Sequence, residues 1–307
     1  MRKSLALLFA LALSACGGST EPTITVDERP LVQDNLVLTS VGPIYSLTKA
    51  LLEDTSVEVK NLPESARSLA AQPTWFSRQS EPFYEDFTKA NAVITLGNIW
   101  PQDPLYLSVR EQNISVVNID ATLPFSSQLT GISLIQRQSS DAISPYFWTS
   151  PANLIRSAKI VSADLARLFP NEAEQIRANE QDLSNELLAA KVSFEQKLTE
   201  QDLFFYALAD EFSYLTNEFG IFVADYFIKQ DIDWTPDDRS ALTANLKSLG
   251  QPIVIHKWEA SEEIQQAILD AGSRLIILDT YETSTEDILS IATANLDKIL
   301  SALSNTQ

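Results

Sequence analysis

Two series of short Val-, Ile- and Leu-rich runs limit what this chain can fold into. The first comprises Leu36–Thr39, Val57–Leu62, Ala92–Leu96 and Ser115–Ile119. The second comprises Leu203–Leu208, Ile221–Val223, Ile253–His256 and Leu275–Leu278. None alternates cleanly between apolar and polar residues, so each is expected to be a strand covered on both faces, the condition of a parallel sheet. Helical patterns separate the runs: Ile44–Leu52 and Phe83–Lys89 in the first series, Glu211–Phe219, Asp237–Leu249, Glu262–Ala271 and Thr285–Leu303 in or after the second. Strands alternating with helices predict an α/β fold.

A long helical stretch divides the two series. Ser150 suits an N-cap and Pro151 the first helical position. Leu154, Ala158, Val161, Leu165 and Leu168 then fall on one helix face, and Pro170 ends the pattern. Asn171 with Glu174 resembles a capping box opening a longer helix, whose buried face would be Ile176, Leu183, Leu187, Phe194 and Leu198. The expectation is two lobes, each a mainly parallel sheet flanked by helices, joined by a long rigid helical linker. The N-terminal α/β lobe would span 31–150, the linking helices 151–200 and the C-terminal α/β lobe 201–307. No literal sequence repeat relates the lobes.

The N-terminus has the pattern of an export signal. Arg2 and Lys3 precede an apolar run, Leu5 to Leu13, that is too short to span a bilayer. Leu13-Ser14-Ala15-Cys16 resembles a bacterial lipobox, with Cys16 as the lipidated residue. Residues 1–15 are then a lipoprotein signal peptide and 16–30 a lipid anchor and tether. Membrane lipid is the partner expected through Cys16, with the folded body exported and anchored in the bacterial cell envelope on the periplasm side. Cys16 is the only cysteine, so intramolecular disulfides are excluded despite the oxidising compartment. Loss of Arg2 and Lys3 takes the formal charge from −19 to about −21. Such an acidic body argues against nucleic acid and against adhesion to anionic lipid.

Signatures of catalysis are scarce. The sequence lacks a Gly-x-Ser-x-Gly elbow, a phosphate-cradling glycine loop and a His-Glu-x-x-His pair, and its one cysteine is committed to the anchor. A non-enzymatic role follows. Asp231–Asp238 superficially resembles a calcium loop, but without the central glycine and closing glutamate it fits a solvated helix entry better.

Several blocks, in order, resemble one family. They are Leu36-Val-Leu-Thr-Ser40 with Pro43, Val57 to Pro63, Ala90 to Gly97, Ser144-Pro-Tyr-Phe-Trp-Thr-Ser-Pro151, Leu208 to Leu215 closed by Phe219-Gly220, Ile253 to Glu259, and Leu275 to Asp279. Together they resemble the metal-binding branch of ABC-transporter substrate-binding proteins, the zinc and manganese type whose lobes are joined by a rigid helix. The resemblance implies capture of a divalent metal ion between the lobes and delivery to an ABC permease in the membrane.

Its metal-ligand positions are mostly replaced. Tyr146 stands where the resemblance puts a histidine, Ala209 fills the histidine slot before Asp210, and Asn98, Ile99 and Trp100 fill the second ligand region. In the first ligand loop, either Arg67 or Thr74-Trp75 falls at the ligand position. Asp279 matches a ligand and Glu259 a neighbour of one. A zinc site needs about four N, O or S donors, and the chain has a single histidine, His256, which reads as structural. An oxygen-only site would use Asp279, Glu259 and Asp210 or Glu211. Alternatively, the Arg67 guanidinium would stand in for the missing cation. The cleft candidates are thus Asp279, Tyr146, Glu259, Arg67, Trp100 and Asp210, with Asp279 alone as a matched metal ligand. Tyr146 could line the cleft or pack beneath the linking helix, and Asp279 could bind an ion or shape a turn. Packing is favoured for Trp148. Trp75 and Trp100 could line a pocket or cover a lobe edge. The alternative functions are a degenerate envelope scaffold that binds no metal and a binder of a different small ligand.

Overall fold

The computed structural model describes residues 35–79, 83–199 and 203–304. The expected signal peptide, Cys16 and tether lie outside the described residues. Strands β1 (Leu36–Thr39), β2 (Glu58–Asn61), β3 (Ala92–Thr95) and β4 (Val117–Asp120) form one parallel sheet in the order β2-β1-β3-β4. Strands β5 (Phe204–Ala207), β6 (Phe222–Tyr226), β7 (Ile253–His256) and β8 (Leu275–Ile277) form a second, in the order β6-β5-β7-β8. The two orders are the same: the second strand pairs outside the first, and the next two add on the other side. Sequence comparison of the lobes does not reveal this repeat, which resides in the connections. The central β1 and β3 are buried at every position, as their unbroken apolar runs require, whereas the edge strands β2 and β4 carry exposed residues.

Helices α1 (Gly42–Leu51), α2 (Gln72–Gln79), α3 (Tyr84–Lys89) and α4 (Leu105–Arg110) make the connections of the first lobe. Next come α5 (Pro151–Leu168) and α6 (Ala173–Leu198) between the lobes, then α7 (Ser213–Glu218), α8 (Pro236–Ser248), α9 (Glu262–Asp270) and α10 (Ile288–Ser304). The α5 N-cap forms as the sequence indicates, with the Ser150 side chain accepting from the Asn153 N–H. The capping box at Asn171 does not. Glu172 is the N-cap of α6, makes no side-chain cap bond, and instead accepts from the Ser56 hydroxyl at 2.5 Å. A true capping box occurs at Thr235 and Asp238, so Asp231–Asp238 is the entry to α8. At 1.5 Å per residue α6 extends roughly 39 Å.

The described residues belong to one compact unit. The largest core combines Val37, Ile94 and Ile119 of the first sheet with Leu47 of α1, Leu154 and Val161 of α5, and Leu187 of α6. Ile288, Ile291 and Ala292 of α10 complete it. Among the described residues no helix is long and apolar enough to cross a membrane.

Candidate functional site

In open parallel sheets, ligands gather at the carboxyl ends of the strands, where successive connections leave in opposite directions. That point falls between β1 and β3 in the first lobe and between β5 and β7 in the second. The residues that follow β5 and β7 are Leu208 to Glu211 and Lys257. A long strap, residues 121–146, runs from β4 to the turn before α5 and reaches these residues.

Arg137, on the strap, meets the buried carboxylates. Its Nη2 lies 2.8 Å from Asp210 Oδ1 and 3.4 Å from Glu211 Oε1, and its Nε donates to Asp210 Oδ2 at 3.4 Å. Ser139 adds its backbone N–H at 2.9 Å and its hydroxyl at 2.5 Å to Asp210 Oδ2. The Lys257 ammonium donates to Glu211 Oε1 at 2.6 Å. Asp210 is only 1 % exposed. Burial by itself would raise its pKa, but the hydrogen bonds from Arg137 and Ser139 prevail and hold it below the usual carboxylate range. The Tyr214 hydroxyl fixes the strap by accepting from the Ile135 N–H at 3.1 Å.

Tyr146 is buried at the same place. Its ring packs edge-on against Trp148 at 5.4 Å, and the Arg137 guanidinium lies 5.9 Å from its centroid. Burial, reinforced by Glu282 and Glu211, pushes its phenol well above the ordinary value, so it is a neutral donor. Glu282 lies beside it and accepts from the Leu69 N–H at 3.1 Å. Burial raises the Glu282 pKa, partly countered by that backbone bond and by the charge of Lys257.

The segment 279–284 fastens the second lobe onto the first. Trp148 Nε1 donates to the Thr280 carbonyl at 2.8 Å. Gly42 opens α1 directly against Ser284, and a Cβ there would stand 2.2 Å from the Ser284 carbonyl oxygen. Asp279 is exposed, its Oδ1 accepts from the Tyr281 N–H at 2.8 Å, and Asn295 bonds its backbone on both sides. Tyr281 has φ of 54°, a left-handed conformation that costs a bulky residue energy, so the Asp279 bond holds a strained turn.

The other expected positions lie apart. Arg67 is exposed, and the cation beside the buried carboxylates is Arg137. Glu259 is exposed. Trp100 packs into the first core with Leu96 and Ile99 rather than facing a cleft. Trp75 packs against Phe76 and Phe83 at 4.9 and 5.3 Å. His256 is 1 % exposed, with Nε2 3.3 Å from Asp231 Oδ1. Arg137, Ser139, Lys257 and Glu282 were missed at the sequence level. The available signal was that Arg137 is the lone arginine of the strap. Among the described residues, no group of three or more His, Cys, Asp or Glu side chains could hold a metal ion.

Two parallel-sheet lobes, a stiff helical connection and loops that converge at the strand ends define the class of two-lobed binding proteins. The chain belongs to the family of the periplasmic zinc-uptake complex component A, ZnuA, whose model matches residues 37–302. Among solved structures it is similar to the substrate-binding protein FpvC of Pseudomonas aeruginosa in complex with Mn2+, at TM-score 0.68 and 17 % identity over 89 % of this chain and 99 % of that one. It is also similar to a Cd-bound periplasmic metal-binding protein of Candidatus Liberibacter asiaticus, at TM-score 0.69 and 17 % identity over 88 % and 99 %. A crystal structure of ZnuA gives TM-score 0.65 and 17 % identity over 88 % and 98 %. At such identities these likenesses concern the fold. No curated protein matches the chain by sequence.

Proposed function

We propose that the chain is an exported, lipid-anchored substrate-binding protein of the metal-transport type, working with an ABC permease, in which internal ion pairs have replaced the usual metal site. Family membership over residues 37–302 supports the transport class, and the lipobox ending at Cys16 supports anchoring. The observation that carries the altered site is Arg137 on Asp210 at 2.8 Å, with Lys257 on Glu211 at 2.6 Å. Oxygens that could face an ion are already satisfied by tethered cations. The donor set does not fit zinc either, since Ala209 offers nothing and Tyr146 is a neutral phenol. In this reading the lobes divide near Ser150 and near residue 200, and Asp279 shapes its turn.

The test is elemental analysis of protein purified without chelator, together with thermal-shift titration against Zn2+, Mn2+ and Ca2+. No stoichiometric metal and no cation-dependent shift are expected. One zinc or manganese per chain, or a shift abolished by Asp279→Ala, would overturn the altered site and restore a metal carrier. The fastening of 279–284 onto the first lobe favours a second reading, a fixed envelope scaffold. Co-purification with a permease and its ATPase favours transport over that scaffold.

A further inference from the structure

A cavity of about 470 Å³ lies on the flank of the first lobe, between the second half of α1, the start of the edge strand β2 and the turn that opens α10. It shares no lining residue with the Arg137–Asp210 cluster. Its size falls in the range of small-ligand pockets, about 300–1,000 Å³. Glu53, Glu286 and Asp287 line it against a single cation, Lys49, which leaves an excess of two negative charges. Among the described residues none of these four side chains has an ion-pair partner. Asp287 gives one oxygen to the Ser290 N–H at 3.0 Å, which caps α10, and keeps the other. Asp54, next to Glu53, and Glu172, bonded to the Ser56 hydroxyl, extend the negative field. The three carboxylates stand on separate segments and do not converge, since among the described residues no group of three such side chains could hold a metal ion. Ala50, Val57 and Val59 supply an apolar wall. Ser46 is the second observation. It lines the cavity, is 5 % exposed, and its hydroxyl finds no partner among the described residues. A helical serine can return its hydroxyl to the carbonyl four residues back, as Thr48 does to Ile44 at 2.7 Å. Ser46 makes no such bond, so a buried polar group is left for a ligand to satisfy.

We propose that this cavity binds a linear aliphatic polyamine. One ammonium group pairs with Glu53 and another with Glu286 and Asp287, a further N–H donates to the Ser46 hydroxyl, and the methylene chain packs on Ala50, Val57 and Val59. Separated carboxylates beside an apolar wall match separated ammonium groups joined by methylenes, whereas a metal ion needs donors that converge on one point. Alkyl amines stay protonated at neutral pH, as the lysine side chain does. The inference does not rest on transport or on the metal question, because neither enters the recognition.

The test is isothermal titration calorimetry of the metal-free protein with spermidine, at about 0.15 M ionic strength, where diffuse attraction to an acidic surface is screened. Saturable binding of one spermidine per chain is expected. Glu53→Gln and Glu286→Gln should each weaken it by about fivefold, the upper end for an exposed ion pair. Ser46→Ala should also weaken it by about fivefold, the net worth of a typical hydrogen bond. Glu262→Gln, on the exposed first turn of α9, is the control and should leave the affinity unchanged. Circular dichroism confirms that all four variants are folded. Absence of saturable binding, unchanged affinity in any of the three cavity variants, or an equal loss in Glu262→Gln overturns the proposal. None of these outcomes bears on the metal titrations.

Discussion

Asp210 is a buried carboxylate that would be costly without Arg137. Removing one partner of a buried pair leaves the other charge in low dielectric, which usually costs more than the pair gained by forming. Arg137→Ala should therefore destabilise the protein by about 3 kcal/mol in urea unfolding, the low end for such pairs, since the arginine side chain keeps 26 % of its surface in water. The same variant should gain a thermal shift with Mn2+ or Ca2+, because the freed oxygens of Asp210 and Glu211 then seek a cation. A variant as stable as the parent and still indifferent to cations would show that the guanidinium does not fill a cation's place. This pairing was illegible in the sequence for a physical reason. The two residues are 73 positions apart, and the strap has no periodicity to announce which side chain turns inward. Tyr146 was easier to single out, because its Pro, Trp and Pro neighbours mark its place in the pattern, while whether it lines a cleft or packs was open in the sequence.

At the scale of elements, the eight strands were readable because each falls in a short run rich in apolar residues. Burial on both faces holds for β1 and β3 and not for the edge strands β2, β4 and β6. Helices α2 and α4 were not. Gln72 to Gln79 and Leu105 to Arg110 have weak helical patterns, and they form because Trp75, Phe76, Leu105 and Val109 pack on the outer face of the first sheet. Tertiary packing commonly overrides a weak local preference. The Asn171 capping box failed in the opposite sense, since Glu172 found the Ser56 hydroxyl instead. Helix α1 makes a sharper demand. Alanine suits a helix better than glycine by about 1 kcal/mol, yet at Gly42 its Cβ would collide with backbone at Ser284. Gly42→Ala should thus lower stability by about 2 kcal/mol, as overpacking does. It should also speed hydrogen exchange across 279–284. Unchanged exchange there would mean that the contact does not hold the lobes together.

For the whole molecule, the buried acids set the pH response. Burial pushes Asp103 up to about 6, against the hydrogen bonds it accepts from the Leu96 and Leu105 N–H groups, and it raises Glu218 and Glu282 as well. A carboxyl with a raised folded pKa binds its proton more tightly in the native state, so stability grows as pH falls toward the ordinary carboxylate value of about 4. Asp210 has the opposite sign. Its contribution is complete above the ordinary value and is lost as pH falls through its depressed one. Relief of net negative charge acts in the same direction as the raised acids. The Tm should therefore rise from about pH 7 to pH 5 and fall below about pH 4, with a smaller rise in Asp103→Asn. A steady decline from neutrality would contradict this assignment.

The position of α10 bears on how such a chain must come together. Ile288, Ile291 and Ala292, close to the end of the sequence, close a core whose other wall includes Val41, Ile44 and Leu47, close to its beginning. Both segments must be present before this core can exclude water, so non-local contacts weigh heavily in its assembly and slow it. A chain that still lacks α10 thus leaves this core open to water.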